Sequence, residues 1–281
     1  MTPASERRPR ATASPGRGAI LAHMRFLGPI LLFAVLGGPV GCATTPAPIA
    51  VPAFDGPVPT VPERDILALT PGMTRAVNGW PDAPGRVQVD HLNRLLLHGG
   101  SGGFSYDAEA TLTAAQAFER REGNCLAFAN LAVALGRAGG LRVFFQEATT
   151  LPSWDATDDT VIVNHHVNAG IDLGRSTVTL DVSVEFAERT TGVRRIDDAL
   201  AAAHFYSNIG AEALLQEDLP YAYAALHRAI EAAPAASFAW SNLGLVLARN
   251  GQAESAKAAY EQAIALKPDN YSALNNLAAL L

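Results

Sequence analysis

The chain has 281 residues, 49% of them hydrophobic, enough for two modest domains with buried cores, and its composition excludes a collagen-like or grossly disordered protein. The first 42 residues hold five Arg and one Glu, a net +4, so the remainder carries −10 against a chain total of −6. That balance excludes a phosphate-neutralising footprint in the body of the chain, and nucleic acid as a partner with it.

Residues 1–42, with Met24 as an alternative start, read as an export signal: a basic start, an apolar run from Phe26 to Leu36 and a small-residue end. The run is too short to span a bilayer. It closes on Pro39-Val40-Gly41-Cys42, which resembles the lipobox of bacterial lipoproteins, although Pro39 stands where Leu is usual. The resemblance implies lipidation at Cys42 and a membrane attachment through the lipid. With Ala43 rather than Asp next, it implies a bacterial cell-envelope protein on the outer membrane, facing the periplasm. Residues 43–64 carry six Pro and almost no charge, so an extended, solvated tether rising ~3.1 Å per residue is expected there.

Residues 65–195 are expected to form an α+β domain whose core starts near Val87. Asp65 to Trp80 holds a short lead-in helix. Val87 to His98 has helical spacing and stops at Gly99-Gly100. Its His91 and His98 are expected at the surface or in caps, because no further His or Cys lies nearby to complete a metal site. The glycines from Gly99 to Gly103 lack a following Gly-Lys-Ser/Thr, so no phosphate cradle is expected. No cofactor is implied anywhere in the chain.

Thr113 to Gln116 reads as a capping box opening a helix through Phe118. Cys125 to Arg137 is apolar almost all round and is predicted to be a buried central helix, ended by Gly139-Gly140. The period then changes to two, giving strands over Leu141–Ala148, Thr160–Leu173 and Ser176–Ser183, the last two joined at Gly174-Arg175. Helices followed by antiparallel strands make an α+β pattern.

Cys125 falls in the first turn of its helix, where free N–H groups and the helix dipole favour a thiolate. A two-residue turn at Gly174-Arg175 sets Leu173 opposite Ser176 and makes Asp181 the diagonal neighbour of His166 on one face, with His165 on the other. An Asp accepting from imidazole Nδ1–H would leave Nε2 to activate the thiol. A buried inert thiol is the competing fate of a lone Cys.

Gly123-Asn124-Cys125-Leu126-Ala127-Phe128-Ala129-Asn130-Leu131, Asn164-His165-His166-Val167-Asn168 and Thr177-Val178-Thr179-Leu180-Asp181-Val182 together resemble the transglutaminase-like superfamily, with its papain-like Cys-His-Asp site. The resemblance implies a buried Cys helix packed on an antiparallel sheet, with Cys125 as nucleophile, His166 as base and Asp181 as orienting acid. His165 is the rival base. His166 is preferred because Val167, Ala169 and Ile171 then face the core.

Residues 203–281 repeat internally. Trp240, Leu243, Gly244, Ala256, Tyr260, Ala263 and Pro268 resemble a tetratricopeptide repeat, and a shift of about 34 residues finds Tyr206, Ile209, Gly210, Ala222, Leu226, Ala229 and Pro234. Helix pairs are expected at 203–236 and 237–270, with a partial unit at 271–281 whose apolar end packs on the globular part or on a partner, or belongs to an incomplete reading frame. Two functions follow. One is a cysteine-dependent acyl transferase or amide hydrolase with a repeat module for protein or peptide binding. The other is a non-catalytic scaffold or assembly lipoprotein acting through its repeats.

Overall fold

Pro71 opens the first helix of the computed structural model, which describes residues 50–78, 80, 85–98, 103–150, 166–182 and 190–281. The expectations for the export signal, for Cys42, for His165 and for strand residues 160–165 and 183 lie outside these residues. Helix α1 (Pro71–Asn78) starts with proline where no N–H is needed, and Thr70 Oγ1 accepts the Met73 N–H at 3.2 Å. It buries Met73 and Val77, and α2 (Gly85–His98) buries Val89, Leu92 and Leu96 in the same core.

A two-residue strand β1 (Ser105–Tyr106) pairs in parallel with β2 (Glu122–Gly123). Neither shows in the sequence, because two residues carry no periodicity. Between them α3 (Ala114–Arg120) has the expected capping box: Thr113 accepts from the Gln116 backbone, and the Gln116 side chain accepts from the Thr113 N–H at 3.0 Å. Arg121, left-handed at φ 59°, ends α3. Helix α4 (Cys125–Ala138) is buried from Leu126 to Gly136, as its all-round apolar sequence requires.

Strands β3 (Val143–Thr150), β4 (His166–Asp172), β5 (Thr177–Leu180) and β6 (Thr190–Ile196) form an antiparallel sheet in the order β5-β4-β3-β6. Leu173 N–H donates to Ser176 O at 2.9 Å and Ala169 faces Leu180, the register a two-residue turn dictates. Strand β6 is unheralded in the sequence. Five of its seven residues are exposed and it includes Gly192, Arg194 and Arg195, so its alternation is faint; pairing with β3 and the Arg194–Glu147 ion pair hold it at the sheet edge.

The C-terminal region is helical: α5 (Asp198–Leu215), α6 (Leu219–Ala232), α7 (Ser237–Arg249), α8 (Ala253–Leu266) and α9 (Tyr271–Leu280). The first pair begins five residues before 203, capped by Asp197, whose side chain accepts the Leu200 N–H at 2.8 Å. Small residues let the helices meet. A Cβ at Gly210 would lie 2.8 Å from Leu226 Cγ, and one at Gly244 would lie 2.6 Å from the Tyr260 ring.

One expectation is corrected. The proline-rich stretch is not a solvated tether from residue 50 onward. It lies along the repeat helices, where Tyr223 OH donates to Pro52 O at 3.0 Å, Gln252 Nε2 to Ala53 O at 2.9 Å, and Arg64 N–H to Tyr206 OH at 2.7 Å. Phe54 packs on Tyr223 with ring centroids 5.1 Å apart, and Val61 is buried. Proline backbones keep free carbonyls, and here side chains of the helices satisfy them instead of water. Residues 49–281 form one compact unit with a continuous core, in which the segments 65–195 and 203–281 pack together. Arg137 on α4 and Asp198 on α5 are joined by two hydrogen bonds of 2.6 and 2.8 Å.

Candidate active site

Gly123-Asn124-Cys125 owes its shape to three local constraints. Gly123 has φ 148°, and a Cβ there would lie 2.5 Å from Ala127 Cβ, so only glycine fits. Asn124 is the N-cap of α4: its Oδ1 accepts the Ala127 N–H at 3.0 Å and its Nδ2 donates to Thr111 Oγ1 at 2.7 Å. The Thr111 N–H in turn donates to Glu212 Oε1 on α5 at 3.2 Å, so the first helix of the C-terminal region stands two hydrogen bonds from the cap. Burial raises the Glu212 pKa against the lowering effect of that bond. Cys125 follows as the first residue of α4, a half-buried free thiol.

His166 opens β4 and Asp181 directly follows β5. The register sets Asp181 opposite Asn168 and diagonal to His166, and the two side chains meet at 2.6 Å between His166 Nε2 and Asp181 Oδ2. Both side chains are about 95% buried. Burial works against a charged His166, yet the hydrogen bonds with Asp181 and with Cys125 outweigh it, and its pKa is raised to about 9. Cys125, His166 and Asp181 therefore form a connected row.

The ring nitrogens are used in the reverse sense from that expected. Asp181 takes Nε2, the nitrogen expected to face the thiol, and Cys125 hydrogen-bonds with the same imidazole. The diagonal register brings Asp181 from the neighbouring strand to the outer nitrogen of the ring. Val167, Ala169 and Ile171 are buried on the other face as expected, but β4 is covered on both faces.

Two further side chains join the row without having been singled out in the sequence. Asn168 Nδ2 donates to Asp181 Oδ2 at 3.0 Å and is 2% exposed. Its position two residues after His166 puts it on the same face, a signal that period-two counting could have caught. Tyr106 reaches the site from β1; burial raises its pKa, and nearby Cys125, Asp181 and Asp107 raise it further. No signal of it exists in a two-residue strand.

His91 lies on α2. Among the described residues no group of three His, Cys, Asp or Glu side chains is placed to hold a metal ion, and no helix is long and apolar enough to cross a membrane.

A comparison of the chain with curated proteins gave no match. Residues 237–270 match the family model of the tetratricopeptide repeat. This span, which is α7 and α8 with their turns, is thus a tetratricopeptide repeat set within a helical C-terminal region.

Proposed function

We propose that Cys125, His166 and Asp181 form the acyl-transfer site of a transglutaminase-like domain. The observation that carries this reading is the connected row from the Cys125 thiol through His166 to Asp181, two of its three members buried. Asp181 accepts the Nε2 proton, fixes the tautomer and supports a positive imidazole. Nδ1 takes the thiol proton, and the sulfur attacks an amide carbonyl. His166 returns the proton to the leaving amine as the thioester forms. Water as acceptor gives hydrolysis, and an amine gives a cross-link. The chemistry needs no metal or cofactor. The substrate proposed is a protein or peptide, because tetratricopeptide repeats commonly mediate protein interactions and one lies in the same compact unit.

In this proposal the protein is held in the bacterial envelope by lipid on Cys42, facing the periplasm. A pulse of radiolabelled palmitate in cells that make the wild-type chain or Cys42→Ser tests it: label in the wild type alone supports the anchor, and equal label refutes it.

Alkylation tests the site. Iodoacetamide at pH 7 is expected to label Cys125 far faster than a small free thiol, and His166→Ala is expected to remove that advantage. An ordinary rate in the wild type sinks the enzyme reading. The repeat match favours a second reading, a scaffold that acts through its repeats alone. If Cys125→Ala keeps the fold and the cellular function, the scaffold stands.

A further inference from the structure

The proposed chemistry creates an oxyanion when sulfur adds to the carbonyl, and one donor for it is given by the fold: the Cys125 backbone N–H, in the helical first turn whose N–H groups have no intrahelical partner. The second donor is not on α4. Strand β1 runs parallel to β2, with Ser105 N–H donating to Arg121 O at 2.8 Å and Asp107 N–H to Gly123 O at 3.1 Å. This ladder fixes Tyr106 beside Gly123, two residues before Cys125.

Alternation fixes the side. Phe104 packs edge-on against Phe128 of α4, with ring centroids 5.2 Å apart. Tyr106, on β1, lies two residues after Phe104, and an extended chain turns both side chains to one face. Cys125 is one helical turn before Phe128, hence further along in the same direction. The phenol is thereby brought to the Cys125 end of α4. Tyr106 is 46% exposed, so it stands at the solvent edge of the row and is not sealed in the core. The electrostatic influence of both Cys125 and Asp181 on its hydroxyl agrees with that placement, and the raised pKa keeps it a protonated donor at neutral pH.

We propose that Tyr106 is a catalytic residue, whose hydroxyl joins the Cys125 N–H as a donor to the carbonyl oxygen of the tetrahedral intermediate. As the sulfur–carbon bond forms, the carbonyl π pair moves onto oxygen and is held by the two donors. When the pair returns, the carbon–nitrogen bond breaks and the amine leaves with the proton from His166 Nδ1. Tyr106 keeps its own proton throughout. The inference rests on the acyl-transfer reading of the site.

The test compares two reagents on the full chain, with Cys125→Ala as the background. Iodoacetamide displaces iodide at sulfur and forms no oxyanion, whereas p-nitrophenyl acetate acylates sulfur through one. Tyr106→Phe is expected to keep the alkylation rate of Cys125 and to slow acylation by about 10²-fold. Retained alkylation also shows that the variant is folded around its thiol. Acylation at the wild-type rate would overturn the proposal, as would an equal loss in both reactions, which would make Tyr106 a support of the Cys125–His166 pair. A wild-type chain alkylated rapidly but never acylated would remove the acyl-transfer reading and this inference with it.

Discussion

Asp181 acts on His166 through one short hydrogen bond, so its replacement has a defined electrostatic result. In the wild type the imidazole titrates near 9, above its ordinary 6.5. Because the folded value is raised, the stability that His166 contributes is fully present below pH 6.5 and is lost as the pH rises through 9. Asp181→Asn removes the charge and is expected to move the His166 midpoint, followed by NMR, from about 9 toward 6.5, with the pH-dependent part of the unfolding free energy shrinking alongside. At Gly123 the constraint is steric. Gly123→Ala must accept φ 148° and a 2.5 Å approach to Ala127, and urea denaturation is expected to show a loss of about 2 kcal/mol or more. Asn168→Ala leaves Cys125 untouched but frees Asp181 on one side; a drop in the alkylation rate of Cys125 with little change in stability is expected if Asn168 positions the row.

At the scale of elements, α4 is positioned by its cap as much as by its apolar faces. Asn124→Ala removes the bond to the Ala127 N–H and the bond to Thr111, and thermal unfolding is expected to show a cost of about 1–2 kcal/mol. The paired helices depend on close approach. Gly244→Val would push a side chain into the Tyr260 ring, which is 1% exposed and cannot move aside, so a loss of about 1–3 kcal/mol is expected in the same assay. The capping box at Thr113, the turn at Gly174-Arg175 and the small residues of the repeats were all legible in the sequence, because each is a local rule over a few residues. Strands β1, β2 and β6 were not, since their partners lie 17 and about 45 residues away and their own residues carry little pattern.

At the scale of the whole molecule, the proline-rich segment ties the start of the compact unit to its end. Asp55 N–H donates to Gln252 Oε1 at 3.0 Å, and Glu63 pairs with Arg228, so residues 52–64 are held across α5, α6 and the turn before α8. Backbone hydrogen exchange is expected to show Asp55 and Arg64 protected well above a free proline-rich peptide; rapid exchange at both would mean that the segment is a tether after all. The Thr111 link from Glu212 to the N-cap of α4 is of the same long-range kind.

By itself the sequence determined the helix that starts at Cys125, the hairpin register that brings Asp181 diagonal to His166, and the 34-residue repeat. Each follows from chain-local geometry: a cap, a two-residue turn, a period. Only the tertiary structure decided which imidazole nitrogen meets Asp181, that Asn168 bonds to that carboxylate and Tyr106 lies near the row, and that the proline-rich segment is docked. Those depend on contacts between residues distant in the chain, and no spacing along it encodes them.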